Sequence, residues 1–203
     1  MCEWGELLSE ISACTKCVLH RSRRNPVPGE GSRSAQVMFI GEAPGAREDE
    51  TGRPFIGAAG QLLTQLMESI KLQRDSTYIT NVVKCRPPSN RDPSDDEIAA
   101  CLPYLIKQIM LVKPQLIVTL GRHSSRTIYE LAGLKWVSMA KQHGKPIEVS
   151  IASIRTTVIA TYHPASALYN PNLRKLIEDD FRNAIARVIS REKESKRTLL
   201  DYL

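Results

Sequence analysis

Four short apolar runs, each followed by a stretch of helical spacing, constrain this chain more than any other feature. They cover residues 37–40, 78–83, 116–120 and 157–161, and Gly, Pro, Asn or His stands close beyond each. Runs of this length with such flanks read as buried strands. Between and after them, residues 58–70, 94–112, 122–131 and 171–191 carry apolar side chains at helical spacing. Ser94 with Glu97 three positions on has the pattern of a capping box. Residues 3–13 read as a short amphipathic helix, and residues 146–151 as an extra strand beside the fourth core strand. Strand–helix alternation with apolar strands implies an α/β fold. The expectation is one three-layer α/β/α domain over residues 1–190 with a central, mainly parallel four-stranded sheet. Ligands of such sheets sit beyond the carboxyl ends of the strands. Chemistry is therefore expected in the loops 41–57, 81–93, 121–123 and 163–171.

Composition narrows the partner and the compartment. The 203 residues carry a formal net charge of +6, which favours a polyanion such as nucleic acid. No apolar run approaches the roughly 18 residues of a membrane helix, and the acidic N-terminus has no signal-like apolar segment. A cytoplasmic protein is expected, nucleoid-associated in a prokaryote, acting as a monomer without membrane attachment. There are five cysteines. Disulfides are rare in a reducing cytosol, so a metal or cluster becomes the leading use for them. Cys14 and Cys17 form a C-x2-C pair, and Cys85 and Cys101 follow later. Four thiolates hold either zinc or an iron–sulfur cluster, and the spacing does not separate the two. Cys2 is left over as a free thiol.

The loops after the strands carry the chain's distinctive motifs. The first reads Gly41-Glu-Ala-Pro-Gly-Ala-Arg-Glu-Asp-Glu-Thr-Gly-Arg-Pro-Phe-Ile-Gly57. The second reads Thr80-Asn-Val-Val-Lys-Cys-Arg-Pro-Pro-Ser-Asn90, and the last Thr161-Tyr-His-Pro-Ala-Ser-Ala-Leu168. With the four cysteines, and in this order, they resemble the family 4 (thermostable, iron–sulfur) uracil-DNA glycosylases from about Cys14 to about Arg187. The resemblance implies an enzyme that hydrolyses the bond between uracil and deoxyribose and leaves an abasic site. It also implies a [4Fe–4S] cluster on Cys14, Cys17, Cys85 and Cys101.

Excising a base requires extruding the nucleotide, reading its edge, stacking its face and stabilising the departing anion. The resemblance assigns the edge to Asn81, whose amide offers an acceptor and donors side by side, matching uracil and rejecting cytosine. It assigns the stacking face to Phe55. His163, between a strand and Pro164, would donate to uracil O2 as charge develops. Gly41 and Asn90 complete the expected substrate-binding set. The better-known branch of the superfamily has Gly-Gln-Asp-Pro-Tyr in the first loop, whereas this chain has Gly41-Glu-Ala-Pro-Gly45. Ala43 stands where the water-positioning Asp would be, so that role does not carry over. Glu42 is the first candidate to replace it and Glu48 the second. Either glutamate could instead accept from backbone amides in a tight loop.

DNA contacts are expected at Gly57 and Gly60, where small residues open a helix, at Arg86, and at Leu168 or Tyr169 as a wedge into the base stack. Arg21, Arg23, Arg24 and Arg53 are further candidates for phosphates. Residues 191–203 read as a charged tail in which Leu199, Tyr202 and Leu203 resemble a sliding-clamp-binding peptide. Two competing readings remain. One is a non-catalytic uracil or nucleic-acid binding module of the same fold, favoured by Ala43. The other is a redox protein with an incidental basic face.

Overall fold

The computed structural model describes residues 3–191. Cys2 and the expected clamp-binding residues Leu199, Tyr202 and Leu203 lie outside the described residues. Within them the strands are β1 (Glu30–Gly31), β2 (Val37–Gly41), β3 (Tyr78–Asn81), β4 (Leu116–Leu120), β5 (Ile147–Ile151) and β6 (Ile154–Thr161). They form one sheet in the order β1-β3-β2-β4-β6-β5. The inner four pair in parallel, and β1 and β5 pair antiparallel at the two edges. The expected four-stranded sheet is thus the parallel centre of a mixed six-stranded one. At two residues, β1 is too short to show alternation. β5 does alternate between half-buried and exposed positions, as an edge strand covered on one face should. It joins β6 through Ala152 and Ser153, both at positive φ, the geometry of a tight hairpin turn.

The helices are α1 (Glu3–Ser12), α2 (Ala46–Thr51), α3 (Ala58–Ser69), α4 (Asp95–Val112), α5 (Arg122–Leu131), α6 (Met139–Gln142), α7 (Pro164–Ala167) and α8 (Pro171–Asp180). A π-helical turn, Phe181–Ile185, carries the last helix onward. The capping box at α4 is formed: the Ser94 hydroxyl accepts from the Glu97 amide, and the Glu97 carboxylate accepts from the Ser94 amide. Successive strand residues face opposite cores. Met38 and Ile40 join α1, α4 and α5 on one side, while Val37 and Phe39 join α3 and the last helix on the other. This places helices on both faces of the sheet and makes three layers. No helix among the described residues is long and apolar enough to cross a membrane.

Because β2, β3, β4 and β6 run the same way, Gly41, Asn81, Leu120 and Thr161 all end at one edge of the sheet. The loop after β2 is not plain loop, as expected from its composition, but contains α2. That helix turns the chain back so that residue 55 returns over the end of β2.

Candidate active site

A cavity of about 350 Å³ opens at that edge, and Glu42, Glu48, Phe55, Asn81, Asn90 and His163 all line it. Three loops separated by tens of residues thus converge. Gly41 packs against two of the lining residues: a Cβ there would stand 2.4 Å from Asn81 Oδ1 and 2.5 Å from Phe55 Cζ. Only a residue without a side chain lets the amide and the ring close over the strand end.

Asn81 is 1 % exposed, and its Oδ1 has no hydrogen-bond partner. A buried amide oxygen left unpaired costs about 1–3 kcal/mol. Such a cost is expected where a ligand supplies the missing donor.

Phe55 has φ 51, a left-handed conformation unusual for an aromatic residue. Several contacts hold it there. Glu48 Oε1 accepts from the amides of Ile56 and Gly57 at 2.9 and 2.8 Å. Arg74 donates to the Pro54 carbonyl at 2.7 Å. The Phe55 carbonyl lies where a Cβ of Gly60 would be, at 1.8 Å. The Gly57 amide is therefore engaged by Glu48 rather than free, and Gly60 makes room for the turn. The Phe55 ring lies 5.7 Å from that of His163, centroid to centroid.

His163 Nδ1 accepts from the Ala165 amide at 3.1 Å, which leaves the ring proton on Nε2. Burial drives the imidazole pKa down to about 4, against a weaker opposing pull from Glu48. The ring is a neutral N–H donor at physiological pH.

Glu42 differs from Glu48 in having no backbone donor. Burial raises its pKa; His123 and Arg122 pull it back, and Asp92 pushes with the burial. His123 Nε2 lies 3.9 Å from the Glu42 carboxylate and 3.2 Å from that of Asp92. Arg122 pairs with Asp92 and donates to His123 Nε2. A guanidinium thus supplies positive charge to this group. These three residues were not singled out in the sequence, although their loops, beyond β3 and β4, were placed at the functional edge.

Other expected residues sit at the rim or away from it. Asn90 Oδ1 accepts from Arg86 Nε at 2.8 Å, so the pair forms one unit. Arg91, also unanticipated, lines the cavity and is held by Glu97 through two hydrogen bonds of 2.8 and 2.6 Å. Leu168 and Tyr169 are 39 % and 91 % exposed beyond α7, as a wedge would have to be. Arg53 pairs with Glu30 and Arg24 with Glu50. Arg23 is turned inward: it donates to Cys85 Sγ at 3.0 Å and to the Ser12 carbonyl.

Cys14, Cys17, Cys85 and Cys101 line a second cavity with Arg23, Lys84 and Tyr104. The Lys84 amide donates to Cys101 Sγ at 3.3 Å. Burial pushes the Cys85 thiol up and the Cys101 thiol to about 11. A coordinated metal would be needed to hold them as thiolates. Among the described residues, the group of His, Cys, Asp and Glu ligand atoms lying within 4.8 Å of one another is Glu42, Asp92 and His123.

Residues 28–188 match the model of the uracil DNA glycosylase superfamily. A type-4 uracil-DNA glycosylase of Sulfurisphaera tokodaii is 50 % identical over 97 % of this chain and 88 % of its own length. One of Saccharolobus solfataricus is 51 % identical over 87 % of this chain and 82 % of its own. One of Archaeoglobus fulgidus is 44 % identical over 98 % of each. With its cavity at the strand ends and these relatives along nearly its whole length, the chain belongs to the type-4 uracil-DNA glycosylases of the uracil DNA glycosylase superfamily.

Proposed function

We propose that this protein hydrolyses the N-glycosidic bond between uracil and deoxyribose in DNA, leaving an abasic site for base-excision repair. The unpaired, buried Asn81 oxygen at the cavity is the observation that carries the reading. It accepts from uracil N3–H, while the amide nitrogen donates to O4. Phe55 stacks on the flipped base. The C1′–N1 bond breaks with its electron pair going to uracil, and the neutral His163 Nε2–H donates to O2 as that charge develops. A water bonds to C1′ and passes its proton to a carboxylate. Glu42 fits that task better than Glu48, because Glu48 Oε1 is committed to two backbone amides. Glu48 supports the reaction by bracing the Phe55 turn. Lys84 does not line the cavity, in keeping with a monofunctional glycosylase that forms no Schiff base.

DNA runs past the rim, with Leu168 or Tyr169 entering the stack and Arg86 facing phosphate. With the Gly57 amide engaged, any phosphate contact at α3 falls to the rest of the helix end, Gly60 included. Cys14, Cys17, Cys85 and Cys101 hold a [4Fe–4S] cluster, a reading supported by the one cavity that all four line and by Arg23 at Cys85. The cluster supplies a four-point cross-link between the N-terminal segment and the scaffold of Asn81; hydrolysis needs no electron from it.

A labelled oligonucleotide with one uracil, beside a thymine control, tests the activity after alkaline cleavage of abasic sites. Uracil-dependent cleavage over many turnovers is expected. Asn81→Ala should lower kcat/KM by about 10- to 100-fold, and His163→Ala should lower kcat by about 10²–10³. Absence of released uracil would leave only binding. The tail docks on a sliding clamp through Leu199, Tyr202 and Leu203. Deleting residues 196–203 should abolish clamp binding and spare turnover, whereas unchanged binding would exclude this role.

A further inference from the structure

Lys84 is among the largest fully buried side chains of the protein, three residues beyond the end of β3. A buried ammonium is costly unless it is hydrogen-bonded and paired with a negative charge. Its hydrogen bonds are in place. Nζ donates to the Asn81 carbonyl at 2.5 Å and to the Thr80 hydroxyl at 2.8 Å. Thr80 in turn donates to the Pro28 carbonyl at 2.8 Å, which ties the end of β3 to the segment before β1. Both acceptors are neutral. Lys84 also lines the cavity of the four cysteines, and its own amide donates to Cys101 Sγ at 3.3 Å. Bound to a cluster, those sulfurs would be thiolates and would supply the counter-charge.

We propose that Lys84 is a positioning residue for uracil recognition, held on the Asn81 backbone by the negative charge of the cysteine-bound cluster. The inference rests on the reading of Asn81 as the uracil-edge residue and of the four cysteines as cluster ligands. It gives the cluster a second task beyond cross-linking. The cluster's charge stabilises the ammonium, the ammonium grips the backbone carbonyl of Asn81, and the carboxamide of that same residue keeps its stance at the cavity. The pathway is short: Lys84 touches the cysteine cavity on one side and the uracil-reading residue on the other. Gly41, packed against the Asn81 amide, closes the other face.

The test uses the cluster-loaded full chain with Lys84→Met, which keeps the length of the side chain and removes its charge and donors. Three properties are measured: iron content, the cluster's reduction potential, and inhibition by free uracil beside affinity for abasic-site DNA. Iron should be retained. The potential should fall, because a cation beside the cluster favours its reduced form. The uracil inhibition constant should rise about tenfold, the equivalent of one charge-assisted hydrogen bond. Abasic-site affinity should not change. With iron retained, an unchanged uracil constant or an unchanged potential overturns the proposal.

If Lys84→Met does not keep its iron, Lys84→Gln decides, since it removes the charge, keeps a donor at the end of the side chain and leaves Thr80 with its bond to Pro28. Weaker uracil inhibition at full iron content supports the proposal, and unchanged inhibition overturns it. Asn81→Ala with native Lys84 separates the two levels. If that variant keeps native uracil inhibition, the assignment of Asn81 fails, whatever Lys84 does.

Discussion

Gly41 shows how much of the site one missing side chain can decide. The space a Cβ would take is filled by Asn81 Oδ1 and the Phe55 ring. Gly41→Ala must therefore displace both. Either movement harms uracil binding before it harms the strand, because the residue ends β2 rather than lying inside it. The variant should raise KM for uracil-DNA more than it lowers kcat, with a stability loss of about 1–3 kcal/mol. Steady-state kinetics with a thermal melt check this, and an equal fall in kcat with KM unchanged would contradict it. The two glutamates make the complementary point. They lie six residues apart in one loop, yet Glu48 spends an oxygen on two backbone amides while Glu42 keeps its carboxylate open, beside His123.

Among the elements, α4 links local capping to the rim of the cavity. Glu97 closes the box with Ser94 and also binds Arg91, which lines the cavity. The Arg91 guanidinium, with the Ser94 donors behind it, holds the Glu97 carboxyl below its usual range. Ser94→Ala removes only the hydroxyl half of the box. It should cost about 1 kcal/mol and lower Tm by about 2–4 °C, with kcat/KM nearly unchanged because Arg91 keeps Glu97. A fall in Tm accompanied by a large loss of activity would show that the cap also governs the rim. The turn that carries Phe55 belongs to the same scale. It is irregular, yet Glu48, Arg74 and the bare Gly60 position it from three directions.

For the whole molecule, the parallel centre of the sheet brings its loops to one edge, and enclosure there alters proton equilibria. His163 has a pKa of about 4 in the fold against an ordinary 6.5, because burial disfavours its charged form. Between those values the unfolded chain binds a proton that the folded chain does not. Stability on this account is complete above pH 6.5 and declines as pH falls toward 4, by at most about 3 kcal/mol. His163→Gln should flatten that part of the stability–pH curve, as chemical denaturation at a series of pH values would reveal. An unchanged slope would place the imidazole in open solvent. The rate should fall on the acid side as Glu42 takes up its proton, with a midpoint above that of an ordinary glutamate.

What was legible in the amino-acid order was whatever short-range physics governs. Residue spacing set the inner strands, the long helices and the box at Ser94, because periodicity and capping act over a few neighbours. The parallel arrangement then implied a site at the strand ends, and the resemblance of the motifs there to a known family put Asn81, Phe55 and His163 in one pocket. Contacts between distant segments were not legible. β1 exists through its pairing with β3, and two residues alone carry no pattern. Arg23 looked like a phosphate ligand, but folding turns it to a cysteine 62 residues away. Gly57 looked like an open amide until Glu48 closed on it. Lys84 stands in a motif loop, yet burial separates it from the cavity. Each of these outcomes depends on which remote group fills the space around a side chain, and packing, unlike spacing, is a property of the folded whole.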